Sequence, residues 1–270
     1  MSDSLKPETA ERVLERLGFG APPLRTRAGL DAVYRAWCRS VPFDNVRKRI
    51  ALLEEDPAPM PGGHAADFHA HWLAHGTGGT CWPSSNGLFT LLDFCGFDAR
   101  RISASMQDMG EPNHGSVAVH LDGQDWMADT SMQTDAIFPI RRGEAAAVEH
   151  ALHPVSLEPV DGTLRIHWAV PMGDSTIPCR LLEDPVGHSF YLERYEITRA
   201  PDKSPFNQAL YARKNFDGAV LAYLGRTRFW KRPGGVESAE LEPDALARSL
   251  CDDLGLSEEI VDRLGRCGGL

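Results

Sequence analysis

The spacing of the apolar residues changes once along this chain, and that change limits the folds it can adopt. Up to about Arg100 the apolar residues recur at helical spacing, and beyond it short β-rich segments are separated by Gly and Pro. The pattern predicts helices over residues 7–17, 28–39, 65–75, 82–96, 243–254 and 257–264. Helices that precede strands, rather than alternating with them, are typical of an α+β chain. We therefore predict helices first, then a β unit, then a mixed C-terminal unit.

The β unit is predicted from alternating apolar segments. "SVAVHLDGQDWMADT", residues 116–130, predicts a strand, a two-residue turn at Asp122-Gly123 and a second strand. Further β-rich segments are predicted at "TLRIHWAV", "IPCRLL" and "SFYLERYEI", which extend the β unit to Ile197. "DGAVLAYLGRTRFWKR", residues 217–232, predicts a second hairpin in the C-terminal unit.

Composition excludes several classes of function. With 270 residues and 42% hydrophobic content, the chain can bury a substantial core. Its net charge of −10 argues against a nucleic-acid partner, because such proteins need a basic surface. No apolar stretch approaches the ~18 residues of a membrane span, and the first twenty residues lack the apolar core of a secretory signal. We therefore expect a cytosolic protein without a membrane partner.

Cys81 is the one cysteine whose neighbours suggest chemistry. The six cysteines form no C-x-x-C pair, and this composition favours reduced thiols, most of them packed as small apolar residues. Pro83 predicts that a helix begins near Cys81, so the positive end of the helix dipole faces the sulfur and favours the thiolate. Gly78 and Gly79 let the backbone bend closely, and we expect their amide N–H groups to face a developing oxyanion. The sequence thus predicts that Cys81 is a nucleophile; the alternative is a small buried residue.

The predicted hairpin supplies a base for this thiol. With its turn at Asp122-Gly123, Ser116 lies opposite Asp129, and His114 shares the face of Ser116. His114 and Asp129 are then diagonal neighbours about 7–8 Å apart, within reach of an imidazole and a carboxylate. The opposite face carries the apolar residues Val117, Val119, Leu121, Trp126 and Ala128. We therefore expect His114 and Asp129 to point away from the core, toward a cleft or solvent, and to complete a cysteine–histidine–carboxylate relay.

Two other histidine arrangements compete with this relay. The same register pairs His120 with Asp125, but next to the turn, where side chains usually meet water. A group of four histidines at positions 64, 69, 71 and 75 has the spacing of helical zinc ligands. It lacks the glutamate of H-E-x-x-H, and no acidic or cysteine ligand lies at a fitting offset. We therefore predict a solvated or partly packed helix face and no metal site.

The chain resembles the arylamine N-acetyltransferase family over nearly its whole length. "VLERLGFGAP" followed by "GLDAVYRAWCRSVPFDN" is similar to that family's opening helices and "P-F-E-N" segment, and "GGTCWPSSNGLFTLLDFCGF" to its "R-G-G-Y-C-x-E-x-N" segment and following helix. "NHGSVAVHLDGQDWMADT" is similar to the segment that carries the catalytic histidine and aspartate. "SPFNQALYA" and "LEPDALARSLCDDLGL" are similar to its third domain.

The resemblance implies a fold of three regions: an N-terminal helical bundle over residues 1–98, a β-barrel over 99–198 and a C-terminal α/β lid over 199–270. It implies that Cys81 takes an acyl group from acetyl-CoA or another acyl thioester and passes it to an aromatic amine or hydrazine. His114 is then the base and Asp129 its orienting carboxylate. Substrate contacts are implied for Phe43, Thr80, Met132 and Phe206. Both substrates are small molecules, no tightly bound cofactor is implied, and the oligomeric state is not predicted.

The chain departs from the family pattern at several positions. Thr77 stands where the family has arginine, and Asp44 replaces the glutamate of "P-F-E-N", so a buried Glu–Arg pair is not expected. Asn86 stands one residue further from Cys81 than the family's spacing has it. The family's "D-V-G-F-G" reads Asp-Thr-Ser-Met-Gln over residues 129–133. Because those glycines allow close approach of the acyl donor, we expect Ser131 and Gln133 to crowd a pantetheine arm.

Three other functions stay open at this point. An amide synthase of the same fold takes its acyl group from a carrier-bound thioester. A transglutaminase-like amidase or protease is also compatible, because "G-T-C-W" resembles the nucleophile segment of that group and the Cys–His–Asp order is shared. The last is a non-enzymatic binding protein that kept the fold. Reaction with acetyl-CoA and a simple arylamine would separate the first function from the others.

Overall fold

The N-terminal part of the molecule is helical, as predicted. The computed structural model describes residues 3–141, 143–173 and 175–270. The first elements are α1 Pro7–Arg16, α2 Arg27–Ser40, β1 Phe43–Asp44, α3 Val46–Leu53, α4 Ala65–His75 and α5 Cys81–Phe94. Four of these helices match the predicted ranges closely, whereas α3 was not predicted. The apolar faces of the four predicted helices share one core that includes Trp37, Phe68 and Leu88.

The central part is an eight-stranded antiparallel sheet that curls into a barrel-like shape. Its strands are β2 Asp98–Met106, β3 His114–Leu121, β4 Gln124–Ala128, β5 Phe138–Ile140, β6 Ala146–Val148, β7 Val155–Val160, β8 Thr163–Ala169 and β9 Thr176–Pro185. They follow the order β5-β4-β3-β2-β9-β8-β7-β6. Side chains from strands near opposite ends of this order, such as Phe138 and Trp168, meet in one buried cluster. That contact requires the sheet to curve around its own core.

The predicted turn sets the register of the hairpin that carries His114. Asp122 and Gly123 have φ values of 53° and 74°, the left-handed conformations that a two-residue hairpin turn of this kind requires. Val119 pairs with Trp126, as the sequence predicted.

The segment "SFYLERYEI" is helical, so its prediction as β-rich was wrong. It forms α6, His188–Ile197, which begins after Gly187. Tyr191 and Tyr195 lie one turn apart and are both buried, because residues four apart share a helix face. The aromatic residues that suggest a strand by propensity therefore form the buried stripe of a helix.

A second sheet joins the two ends of the chain. The C-terminal elements are a short 3₁₀ helix Pro205–Asn207, β10 Tyr211–Phe216, β11 Ala219–Leu224, β12 Thr227–Arg232, β13 Gly235–Glu240, α7 Pro243–Asp252 and α8 Glu258–Arg266. The predicted hairpin at 217–232 is confirmed as β11 and β12. At the other edge, β1 pairs with β10, with Phe43 opposite Arg213. The division into three regions stays a prediction, and the third region takes one strand from the first.

The helices are short compared with a bilayer. The longest, α2 and α5, have 14 residues each, whereas a membrane span needs about 20. Among the described residues, no helix has both the length and the apolar character to cross a membrane.

Candidate active site

Cys81 is the first residue of α5. The residue before it, Thr80, is extended, and its side chain makes no capping hydrogen bond. The N–H groups of a first helical turn have no acceptor within the helix, and the dipole places partial positive charge there. Both effects favour a developing oxyanion beside the first turn of α5, next to the Cys81 sulfur.

The turn before Cys81 is fixed by close backbone contacts. A Cβ at Gly78 would lie 1.8 Å from the carbonyl oxygen of Pro42, so only glycine fits. The Gly78 N–H donates to Oδ2 of Asp44 at 2.6 Å. The expectation that this amide faces an oxyanion was therefore wrong, because Asp44 occupies it. The glycine permits the approach of β1 and anchors the nucleophile turn.

His114 and Asp129 are in direct contact, as the hairpin predicted. Nε2 of His114 lies 2.7 Å from Oδ2 of Asp129. Both side chains are buried, and they share their sheet face with Ala118 and Met127 in the barrel core. The pair lies on the face opposite Val117, Val119 and Ala128, as expected, but it is buried there rather than facing solvent. Curvature of the sheet gives this face a core of its own.

Asp129 is held by hydrogen bonds within the turn that it begins, rather than by pairing between strands. The pairing of β3 with β4 ends at Val117 and Ala128. Asp129 then turns back, and its Oδ1 accepts hydrogen bonds from the N–H groups of Ser131 at 2.9 Å and Met132 at 2.7 Å. With Oδ1 occupied, Oδ2 is directed to His114.

The charges of the pair support a relay. Burial, the largest effect, disfavours an imidazolium at His114, but Asp129 and a hydrogen bond with Cys81 outweigh it and raise the pKa of His114 well above its ordinary value. Burial likewise disfavours the Asp129 carboxylate, yet His114 and the backbone N–H donors lower its pKa. Nε2 of His114 serves Asp129, which leaves Nδ1 for the thiol.

The competing pair lies where the sequence placed it, beside the turn. Nδ1 of His120 lies 2.7 Å from Oδ1 of Asp125, and the His120 side chain is 47% exposed. Arg100 also binds Asp125. The pair is an exposed ionic network on a strand end, with no cysteine in contact.

Aromatic side chains surround Cys81. Phe43 packs in one buried cluster with Cys81, and Phe206 and Tyr211 pack against that cluster. The rings of Phe43 and Phe206 meet edge to face at 5.3 Å. Thr80 is buried next to the nucleophile. Met132 instead belongs to the hydrophobic cluster of the barrel, whereas Phe43 and Phe206 belong to the cluster around Cys81.

In the loop after Asp129, residues with side chains stand where the family has glycines. Gln133 has φ of 46°, the left-handed conformation that glycine adopts most easily, so its side chain is accommodated there at some backbone strain. Its side chain is fully buried and donates to the Val41 carbonyl at 2.8 Å. Arg213 donates to the Gln133 side-chain oxygen at 3.3 Å and also to the Met132 carbonyl. The Gln133 side chain is thus held against Val41, and the expectation that side chains at Ser131 and Gln133 crowd a pantetheine arm or force it onto another path stays a prediction.

Asp44 occupies the position of the family's buried glutamate without an ion pair among the described residues. Its oxygens accept from the N–H groups of Gly78 and Val46. Burial raises its pKa from 3.8 to about 6, against those hydrogen bonds and the more distant Arg47. Thr77, where the family has arginine, is buried, and its hydroxyl has no partner among the described residues.

The histidines of α4 are partly packed, as predicted, but each makes its own contacts and they do not converge on one site. His69 is buried, and its Nε2 lies 3.1 Å from the Gly87 carbonyl. His75 contacts Ser257, and His71 lies 3.6 Å from Asp67. His64 precedes α4 and lies near Asp3 instead.

The other buried cysteines differ from Cys81 in their surroundings. All six cysteines are unpaired. Burial raises the pKa of Cys38 to about 12 and those of Cys95 and Cys179 to about 11. Such thiols stay protonated at neutral pH and are poor nucleophiles.

Two residues that shape the site were missed from the sequence. The Tyr34 hydroxyl donates to the Asp129 carbonyl at 2.6 Å and lies 3.0 Å from the hydroxyl of Thr134, so α2 fixes the position of the carboxylate loop. Arg213 is 1% exposed and supports the same loop from β10. No local signal marks either residue, because Tyr34 lies in the apolar pattern of a helix and Arg213 stands beside Lys214 in the strand sequence YARKNF.

Comparison with known proteins places this geometry in a described fold. No protein-family model and no curated sequence matches the chain. An arylamine N-acetyltransferase structure from Mycobacterium marinum has 20% identity and a TM-score of 0.82, covering 96% of both chains. A structure of the M. marinum enzyme in complex with CoA has 19% identity and a TM-score of 0.80, over 96% of this chain and 99% of that one.

An arylamine N-acetyltransferase from Bacillus cereus, described with a Cys-His-Glu catalytic triad, has 13% identity and a TM-score of 0.76. It is matched over its whole length by 93% of this chain. Similarity at this level extends over nearly the entire backbone while the sequences have diverged widely. The chain therefore has the fold of the arylamine N-acetyltransferases.

Proposed function

We propose that this protein is an acyltransferase in which Cys81 carries the acyl group between a thioester donor and an amine acceptor. The observation that supports it most is the buried His114–Asp129 hydrogen bond of 2.7 Å. Cys81 lies at the start of α5, and a hydrogen bond with it contributes to the raised pKa of His114. A packing cysteine needs neither the imidazole nor the free helix N-terminus.

The first half-reaction forms an acyl-enzyme. The Cys81 thiolate attacks the carbonyl carbon of the thioester, and the carbonyl oxygen takes the negative charge near the first turn of α5. The tetrahedral intermediate collapses as the new C–S bond is kept and the bond to the donor thiol breaks. The imidazolium of His114 gives its proton to the departing thiolate, and Asp129 holds the ring in position.

The second half-reaction transfers the acyl group from Cys81 to the amine and restores the free thiol of Cys81. The amine attacks the acyl carbon, His114 takes a proton from the amine nitrogen, and the bond to Cys81 breaks to give an amide and the free enzyme. The walls formed by Phe43, Phe206 and Tyr211 favour a flat apolar acceptor, because aromatic rings pack well edge to face. An aromatic amine or hydrazine is therefore the proposed acceptor.

Acetyl-CoA is the proposed donor, and a carrier-bound acyl thioester is the alternative. The CoA complex of the M. marinum enzyme supports the first. Ser131 in place of a glycine favours the second, because its side chain reduces close approach of a pantetheine arm to the backbone. We expect slow acylation by acetyl-CoA and ready acylation by p-nitrophenyl acetate, because the relay depends on the backbone N–H groups of that loop, which hold Asp129, and not on the Ser131 side chain.

Intact mass spectrometry tests the acyl-enzyme directly. Wild-type protein and Cys81→Ser are exposed to each donor, and the gain of one acetyl group is timed. A gain on wild type alone supports the proposal, and rapid stoichiometric gain from micromolar acetyl-CoA would show that the loop is harmless. No gain from either donor would contradict an acyltransferase and favour a binding protein.

Matched histidine and aspartate variants test the relay. His114→Ala should abolish acylation near neutral pH, and Asp129→Asn should lower its rate by orders of magnitude because it favours the wrong tautomer. His120→Ala removes a histidine of the same strand from an exposed pair and should leave the rate within about twofold. A damaging His120→Ala with an active His114→Ala would overturn the assignment.

A further inference from the structure

A second cluster of chemistry-bearing side chains lies where three segments that are distant in sequence meet. It consists of Asp3, His64 and His188, and one ligand atom from each lies within 4.8 Å of the others. We propose that this cluster binds a divalent transition-metal ion of the zinc type. The inference does not depend on the proposed acyl transfer.

The distances suit zinc coordination. Oδ1 of Asp3 lies 3.6 Å from Nδ1 of His64, and Oδ2 lies 3.2 Å from Nε2 of His188. Ligands at about 2.0–2.2 Å from a tetrahedral zinc ion are separated by roughly 3.3–3.5 Å. Small side-chain rotations therefore bring two imidazole nitrogens and a carboxylate oxygen onto one ion. Imidazole and carboxylate are ligands that zinc accepts readily.

The carboxylate is already oriented by its surroundings. Asp3 accepts hydrogen bonds from Nδ2 of Asn86 at 2.6 Å and from the N–H of Ala65 at 3.1 Å. Asn86 is in turn held by Nε of Arg101 at 2.7 Å. Partners that fix a ligand from behind reduce the entropy lost on metal binding. Asn86 and Arg101 belong to the core elements α5 and β2, so this support is rigid.

Binding through His188 requires one hydrogen bond to be exchanged. Its Nε2 now donates to the Gly63 carbonyl at 2.9 Å and must lose that proton to bind an ion. The Gly63 carbonyl still accepts from Nδ2 of Asn86 at 3.1 Å, so it is not left without a donor. The exchange therefore does not orphan a buried polar group.

The cluster also has room for a solvent ligand. The His64 side chain is 63% exposed, whereas those of Asp3 and His188 are 10% and 14% exposed. One side of the cluster thus opens to water and two ligands lie in the protein. The N-termini of α4 and α6 face the cluster and oppose a cation, and the negative charge of Asp3 offsets them.

Zinc titration of the purified protein, without a histidine tag, tests the site. Equilibrium dialysis should give one tightly bound Zn²⁺ per chain, and His64→Ala and His188→Ala should each weaken binding at least about tenfold. Asp3→Asn should weaken it similarly. The control His71→Ala removes a histidine of the neighbouring helix α4 and should leave the affinity unchanged. Thermal denaturation without metal checks that every variant is folded.

Zinc binding to the Cys81 thiol must be distinguished from zinc binding to this cluster. Cys81→Ser should retain the bound zinc, and Co²⁺ in the wild-type protein should show no thiolate-to-cobalt charge-transfer band. No binding to folded wild type would overturn the proposal and leave Asp3 as a cap of α4. Binding that survives both histidine variants, or that is lost in Cys81→Ser, would also overturn it.

Discussion

Replacing Asp44 by asparagine should change how the stability of the protein depends on pH. Asp44 is 1% exposed, and burial raises its pKa from 3.8 to about 6. Its carboxylate carries two backbone hydrogen bonds but no ion pair among the described residues. The asparagine side chain in Asp44→Asn would keep a similar shape without a titrating group, so the difference between the two proteins isolates this carboxyl.

The sign and size of this change in stability follow from the linkage between proton binding and folding. A carboxyl whose pKa is raised by folding binds its proton more tightly in the folded state, so stability is lost as the pH rises from about 4 to about 6. At 1.36 kcal/mol for each pH unit, the rise from 3.8 to about 6 at Asp44 corresponds to roughly 3 kcal/mol of unfolding free energy. Relative to Asp44→Asn, wild type should therefore lose up to about 3 kcal/mol between pH 4 and pH 7.

Urea denaturation at several pH values measures this difference. Effects of other titrating groups cancel when wild type and Asp44→Asn are compared at each pH. Asp108→Asn is a control of opposite sign, because Arg180 and Arg165 lower the pKa of Asp108 to about 2 and its stabilisation is lost as the pH falls from about 4 to about 2. A difference for Asp44→Asn that is flat, or that grows in favour of wild type as the pH rises, would refute the reasoning.

Three further predictions concern the nucleophile and its surroundings. Limited alkylation with iodoacetamide at about pH 6, followed by peptide mapping, should label Cys81 before the other five cysteines, and first labelling of Cys267 would contradict its role. Gly78→Ala should cost at least about 2 kcal/mol in urea denaturation, because its Cβ would meet the Pro42 carbonyl at 1.8 Å, whereas the open position Gly20→Ala should stay within about 0.5 kcal/mol. Lys48→Met should stabilise the protein by about 1–3 kcal/mol at neutral pH, because burial lowers the pKa of Lys48 from 10.5 to about 8. That gain should shrink as the pH rises from about 8 to about 10.5, and a constant gain would contradict it.

Local sequence signals located the nucleophile helix and the His–Asp pair. Asp122-Gly123 specifies its turn through backbone conformation alone, so the register of the hairpin, and with it the proximity of His114 and Asp129, could be worked out from spacing. Pro83 and the glycines similarly indicated where α5 begins. Both signals act over a few residues and do not depend on the rest of the fold.

Features that depend on distant contacts could not be predicted this way. The burial of His114 depends on sheet curvature, which brings Phe138 and Trp168 together and gives the second face a core. Helix α6 was mistaken for a strand because aromatic residues favour strands, while the packing of Tyr191 over Trp82 decides for a helix. Asp3 joins His64 and His188 only through the fold, and no spacing within α4 reveals it.

The pairing of β1 with β10 has a consequence for how the protein is made. Phe43 is synthesised early, but its strand partner Arg213 leaves the ribosome only after most of the chain. Contacts between such distant residues form late, because long loops must close first. The thiol of Cys81 is therefore in place on its helix before Phe206 and Tyr211 can enclose it. A nascent chain halted before residue 205 should carry a thiol that is more exposed to oxidation than in the finished protein, because Phe206 and Tyr211 are still missing from its surroundings.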